Sequence, residues 1–319
     1  MMQSIPQVMI SRNLTDIKIN ILETLAYFDL FNYPLAKAEI YLFLKNKVQY
    51  ELLEHGLNCL LSYGIIYRFE RFYSLKNNYN LIGNRKEGNK KAEELIKTAG
   101  KVGELIIRFP FVRGVAISGS LSKHYADETS DIDLFIIVEK NRLWVARTLL
   151  HMFKKLTFLV NKEHLFCMNY FIDTQALEIE EKNLYTAIEV GTLIPLQGDL
   201  AFEKFYAANA WTINFLPNKT MRVDSAQPEK RIALKTTIEY LFNNRLGNAL
   251  EQQLRRITAS RWTKKTVHKK LNSHGSILGM VSGKHYSKPD PTYFQKSLLD
   301  RYQQKLSFIL QQFQHNLTE

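Results

Sequence analysis

Apolar residues recur at helical spacing from Ile10 to Phe28, at Leu14, Ile17, Ile21, Leu22, Leu25 and Phe28, until Phe31-Asn-Tyr-Pro34 interrupts the pattern. The spacing predicts a helix that ends there. A second helix is expected over Leu35 to Leu44, opening just after Pro34. A third is expected from Gln49 to Tyr63, with Leu52, Leu53, Leu57, Leu60 and Leu61 inward and Gly64 closing it. Ile65 to Phe69 and Phe72 to Leu75 read as two short strands joined by Glu70-Arg71.

Three helices followed by a small hairpin resemble a winged helix-turn-helix, assigned to residues 1–80. The presumed recognition helix shows Gln49, Glu51, Glu54, His55 and Asn58 as its polar positions. A helix inserted between phosphates would carry Lys or Arg there, so DNA binding does not follow from the pattern.

Residues 76–91 are polar and basic, which predicts a connection running into a helix from about Lys90 to Arg108. The pattern then alternates: a strand over Val112 to Ser118, a strand over Asp131 to Val138, a helix over Arg142 to Val160, and a strand over Leu165 to Ile172. Beyond Leu177 it turns helical, with Leu184 to Leu193, Leu200 to Trp211, Arg231 to Arg256 and Pro291 to Gln314 as candidates. The expected class is α+β or α/β, a small mixed-sheet domain at 90–195 between the N-terminal module and a helical C-terminal region at 196–319.

The chain has 319 residues, 45% of them hydrophobic, enough for real cores. No apolar run reaches the roughly 18 to 20 residues that span a bilayer, and no stretch has the form of a signal peptide. The expectation is a soluble, cytoplasmic protein with no membrane partner. Cys59 and Cys167 lie in apolar stretches without partners at metal-ligand spacing and are expected to be free, buried thiols. The net charge of +12 is uneven, because the last 101 residues hold 18 Lys and Arg against 7 Asp and Glu.

Candidate chemistry concentrates between residues 114 and 137. Gly114-Val-Ala-Ile-Ser-Gly119-Ser120 closes one strand, and after ten residues Asp131-Ile-Asp133-Leu-Phe-Ile-Ile opens the next. Period-two geometry puts Asp131 and Asp133 on one face of their strand, and two neighbouring carboxylates call for a cation. Magnesium suits them, since it prefers hard oxygen ligands and commonly takes one or two carboxylates plus substrate phosphates. Gly119 allows a backbone to approach a phosphate closely, Ser120 offers a hydroxyl donor at the start of an expected short helix, and Lys123 follows one turn on.

Gly-Ser, this spacer and Asp-Ile-Asp between apolar strands resemble the signature of the polymerase-β-type nucleotidyltransferase superfamily, particularly its minimal members. The resemblance implies that Gly119 and Ser120, with Lys123, bind a nucleoside triphosphate and that Asp131 and Asp133 hold the metal. It further implies that an acceptor hydroxyl attacks the α-phosphorus while pyrophosphate leaves. The family's third carboxylate lies mid-strand on the next, antiparallel segment, and helps activate that hydroxyl. Here that strand is Leu165-Phe-Cys-Met-Asn169-Tyr-Phe-Ile-Asp173. Asn169 holds the middle, while Asp173, the candidate third catalytic carboxylate, sits at the end. Residues 169, 171 and 173 share a face of a regular strand; only one of Asn169 and Asp173 can sit beside the Asp pair, with Glu178 and Glu180 as further candidates. The expected function is magnesium-dependent nucleotidyl transfer to an unidentified hydroxyl acceptor. The alternative is a catalytically weakened fold serving as a nucleotide sensor or as a nucleic-acid- or protein-binding module.

Arg255, Arg256, Arg261, Lys264, Lys265, Lys269 and Lys270 put seven cations into 16 residues around Trp262, a density that favours a polyanion such as nucleic acid. Residues 272–291 are Gly- and Pro-containing and read as a loop, from which Lys284, His285 and Lys288 can reach a bound substrate.

Overall fold

The computed structural model describes residues 5–157, 163–221, 226–230, 232–268, 279–289 and 294–316. The N-terminal periodicity yields helix α1 (Ile5–Asp29), a two-residue strand β1 (Leu35–Ala36), α2 (Lys37–Phe43) and α3 (Tyr50–Ser62). A hairpin of β2 (Tyr67–Phe69) and β3 (Phe72–Ser74) follows, and β1 joins it in the order β1-β3-β2. The start of the expected second helix is thus a strand: Leu35 pairs with Tyr73 and Ala36 with Phe72 before α2 begins. Ile17, Ile21, Leu22 and Leu25 pack on Leu53, Leu57 and Leu60 in a core of buried aliphatics.

Helix α4 (Asn80–Ile106) starts ten residues before the expected Lys90. Its polar opening turns hid it, since Lys86, Glu87 and Asn89 lie on the outer side while Leu81, Ile82, Arg85, Gly88 and Ala92 are buried.

A mixed six-stranded sheet follows, in the order β7-β4-β5-β6-β9-β8. Strands β4 (Val112–Ile117) and β5 (Asp133–Val138) pair antiparallel; α5 (Leu143–Thr157) then crosses over to β6 (Cys167–Asp173), which runs parallel to β5. Parallel pairing needs such a crossover, and α5 supplies it. The antiparallel neighbour implied by the family resemblance is therefore not what this chain forms. Helix α6 (Leu184–Thr192), strand β7 (Ile194–Gln197) and helix α7 (Asp199–Ala208) return the chain to the β4 edge, where β7 pairs antiparallel.

The expected helix over Arg231 to Arg256 is two helices, α8 (Ala233–Phe242) and α9 (Arg245–Val267), broken at Asn243-Asn244, where the Asn244 side chain caps α9. The described part of the expected 272–291 loop is not a loop. It is a hairpin, β8 (Met280–Ser282) and β9 (Tyr286–Pro289), and β9 extends the sheet by pairing with β6. Helix α10 (Phe294–Asn316) ends the described chain and packs back on α1, burying Leu298, Tyr302, Leu306, Ile309 and Phe313 in the N-terminal core. The C-terminal third therefore contributes to both cores.

The two faces of the sheet separate by period two. Leu134, Ile136 and Val138 join Trp144 and Leu150 of α5 on one face, while Phe135 and Ile137 join Phe202 and Phe205 of α7 on the other. Asp133 stands in line with Phe135 and Ile137, and so opens towards α6 and α7. No helix of the described residues is long and apolar enough to cross a membrane.

Candidate functional site

Strand β4 runs out at Ile117, and the chain turns through Gly119 with φ of +68°, in the left-handed region where a glycine is at ease. A Cβ on Gly119 would lie 2.5 Å from Oδ2 of Asp133, so the turn is pressed against that carboxylate. Position 119 thus excludes a side chain both by backbone and by space. The following turn, 121–123, is a single 3-10 turn rather than the expected short helix; it has too few aligned peptides to act as a dipole.

Lys123 points back into the site, with Nζ 3.0 Å from the Gly119 carbonyl oxygen and 2.8 Å from Oε1 of Glu189 on α6. Ser122 Oγ donates to the same Gly119 carbonyl at 2.8 Å. The N-terminal module braces this turn from behind: the Tyr33 hydroxyl donates to the Lys123 carbonyl, and Asn89 Nδ2 donates to the His124 carbonyl at 2.7 Å. Tyr33 is held in turn by the Arg85 guanidinium, 3.6 Å from its ring centre, and Arg85 pairs with Glu39 at 2.6 Å.

Asp133 begins β5, whereas Asp131 precedes the strand and is exposed. Burial, then the nearby charges of Asp131 and Glu189, raise the Asp133 carboxyl to about 6, against the lowering effects of Cys167 and Lys123. Cys167 is free and only half-buried, and it is the strand partner of Asp133. Burial first and the Asp133 charge next push its thiol up to about 12.

Of the two candidates for a third ligand, Asn169 lies beside Asp133. Its Nδ2 donates to Oδ1 of Asp133 at 2.6 Å, and its Oδ1 accepts from Cys167 Sγ at 3.4 Å. It gets there through a bulge: Leu134 pairs with Met168 and Phe135 with Tyr170, leaving Asn169 without a partner on β5. The bulge also breaks the regular alternation, so Phe171 faces the α5 side while Tyr170 and Ile172 face the Asp133 side.

Asp173 is not in the site. It pairs with Val138, five residues along β5 from Asp133, which is roughly 17 Å. There it is fully buried and bonded to Nδ1 of His285 at 2.9 Å, with its Oδ1 accepting from the Gln175 amide. The expectation of Asp173 as third catalytic carboxylate is corrected on this register. His285, a candidate substrate contact, is its partner instead.

A cavity of about 230 Å³ opens from Ser118, Gly119, Asp133 and Asn169 and runs between α6, β9 and α10. Phe135 and Tyr170, stacked at 4.9 Å, form one wall with Tyr185, and Ile179, Val190 and Leu193 line it further in. Lys288, another candidate contact, lines the same cavity and is buried in an ion pair with Glu181. Burial, with Glu189 and Asp133 nearby, holds the Tyr185 hydroxyl firmly protonated, well above its ordinary range. Lys269, Lys270 and residues 272–278 lie outside the described residues.

Sequence reasoning passed over Glu189 and Tyr185. A signal for them existed: Tyr185 and Glu189 are four apart, hence on one face, and Glu189 is the only charged residue of Leu-Tyr-Thr-Ala-Ile-Glu-Val-Gly-Thr. Among the described residues, no three His, Cys, Asp or Glu side chains are gathered as a metal would require on its own. Asp131 and Asp133 remain a pair of carboxylates crowded by a third, Glu189, with Lys123 the nearby cation. Such an excess of negative charge around a raised carboxyl fits a divalent cation that takes its remaining ligands from a substrate's phosphates.

No family model matches the chain, and no curated protein or solved structure matches it.

Proposed function

We propose that this chain is a magnesium-dependent nucleotidyltransferase that transfers a nucleoside monophosphate from a nucleoside triphosphate to a hydroxyl acceptor. The observation that carries the reading is the Gly119 turn set against the Asp133 carboxylate, with Asp131 and Lys123 alongside, at the mouth of a cavity. A backbone that cannot carry a side chain leaves room for phosphate oxygens beside a charged carboxylate pair. The nucleotidyltransferase signature resembled by this segment supports the same assignment, and the three helices with a three-stranded sheet at the N-terminus are compatible with a winged-helix module.

In this reading Asp131 and Asp133 hold magnesium, which when bound neutralises the triphosphate and the charge that develops on the leaving group. Ser120 and the backbone at Gly119 orient the phosphates. The acceptor oxygen bonds to the α-phosphorus, the bond from that phosphorus to the bridging oxygen breaks, and pyrophosphate departs with the electron pair. Asn169 cannot take the hydroxyl proton; Glu189 is the carboxylate placed near Asp133 that can.

The second reading, a binding module with weakened catalysis, is favoured by one specific observation. An amide, Asn169, stands where a third carboxylate would complete the set, and its NH2 already occupies an oxygen of Asp133. Turnover separates the two. Label from an α-phosphate-labelled triphosphate, offered as each of the four common nucleotides with and without cell extract, should appear in a product for an enzyme. Binding without transfer under every condition favours the sensor.

A further inference from the structure

Helices α8 and α9 are fixed to the body by their polar residues and turn their apolar residues outward. Lys235, the one buried residue of α8, donates to the carbonyls of Ile107 at 2.8 Å and Val112 at 2.7 Å, and pairs with Glu229 at 2.9 Å. Glu239 accepts from the Phe111 amide at 2.6 Å and from Arg113 at 2.8 Å. On α9, buried Glu251 takes the Trp144 and Val145 amides at 2.8 and 2.9 Å, capping the start of α5. Arg142 clasps the elbow through the Phe242 carbonyl and Asn248.

The side chains left outside are large and apolar. Tyr240 is 82% exposed, Leu246 78% and Leu234 68%, and Leu241, Phe242, Leu250 and Ile257 are exposed beside them. Hydrophobic residues of this size normally supply the buried face of an amphipathic helix. Here they form an exposed apolar surface over two consecutive helices, which marks an interaction site.

Charge decides what it meets. Residues 232–267 contain two acids, Glu239 and Glu251, and both are turned inward. Arg245, Arg255, Arg256, Arg261, Lys264 and Lys265 are the cations of α9, and among the described residues none of them forms an ion pair. A second copy of the chain would bring six cations against six. A nucleic acid would use the cations but leave Leu234, Leu241, Leu246 and Leu250 without purpose, since it favours aromatic stacking partners. An acidic helix of another protein would need a groove, and these side chains protrude.

We propose that the outer face of α8 and α9 lies on an anionic lipid surface, with its leucines and Tyr240 at the headgroup–acyl boundary and its cations among the headgroups. Apolar side chains interspersed with Lys and Arg, free of acids, are what such a surface retains. Lying on a bilayer requires no spanning helix. The proposal stands independently of the nucleotide site.

The test is co-sedimentation of the full chain with vesicles of phosphatidylcholine alone and of phosphatidylcholine mixed with phosphatidylglycerol. Binding to the mixed vesicles only, weakened by salt, is expected. The double variant L241E/L246E changes exposed positions, so it should keep the native circular dichroism and lose sedimentation. Each of R256Q and K264Q should lower vesicle affinity about five-fold. The proposal is overturned if the native chain stays in the supernatant with anionic vesicles, or if L241E/L246E sediments like the native chain. It is equally overturned if the surface proves to be covered otherwise: by a native dimer in the ultracentrifuge that L241E/L246E dissociates, or by a nucleic acid that binds the chain and leaves the vesicles unbound.

Discussion

The side-chain amide of Asn169 donates to Oδ1 of Asp133 at 2.6 Å, so the residue next to the principal candidate ligand supplies a hydrogen where a metal site would want an oxygen. An aspartate at 169 would add a carboxylate at that spot. N169D is expected to tighten magnesium binding about ten-fold, or roughly 1.4 kcal/mol, and to lower the metal-free melting temperature through repulsion with Asp133. Calorimetric titration of magnesium with thermal melts in chelator checks both effects. Unchanged magnesium affinity would show that Asn169 does not face the cation.

Lys123 is engaged by Glu189 at 2.8 Å, which keeps its charge from a phosphate. E189Q releases the lysine and removes one of the charges that raise Asp133. Triphosphate affinity measured without turnover should rise about ten-fold, roughly the strength of one charge-assisted hydrogen bond. A fall instead would identify Glu189 as part of the binding set. In the transfer assay the same variant should be slower, since it lacks the candidate proton acceptor.

Much of this site could be read from the chain, and what could not has a physical reason. Gly119, Asp131 and Asp133 announce themselves because a tight turn and a charged pair sit at the ends of apolar strands. Position along β6 was misjudged because a regular alternation was assumed, and the bulge at Asn169 shifts every later side chain by one face. Glu189 reaches the site from a helix more than 50 residues along the chain, a distance that no local pattern bridges. Helix α4 and the β8–β9 hairpin were hidden by polar, Gly-containing sequence whose structure depends on packing rather than propensity. The N-terminal helices, whose apolar stripes are long and regular, were legible throughout.

Asp173 gives a clean contrast with Asp133. It is fully buried against His285 at the opposite end of the sheet, so D173N should leave nucleotide binding and turnover unchanged while costing about 1–3 kcal/mol of stability. Urea unfolding followed beside the transfer assay measures the two separately. Loss of turnover with unchanged stability would return Asp173 to the chemistry.

His151 reports on pH. Burial, then the charges of Arg147, Lys154 and Lys155, hold it down to about 3, so the folded protein keeps it neutral where the unfolded chain protonates it near 6.5. The unfolded state therefore binds more protons as pH falls. Stability is full above about 6.5 and declines below it, by about 2 kcal/mol between pH 6.5 and 5. H151Q should flatten that part of the stability profile, whatever its effect on absolute stability. An identical slope in native and variant proteins would mean that His151 is already protonated in the fold.

The central claim is that Asp131 and Asp133 bring about nucleotidyl transfer at the Gly119 turn. Its most direct test is pyrophosphate release by the native chain and by the D131A/D133A double variant, with magnesium, each triphosphate and fractionated extract as the source of acceptor. Release by the native chain that depends on magnesium and extract, and falls to background in the double variant, is the predicted result. Equal release from the two proteins, or none from the native chain with any triphosphate and fraction, would contradict it.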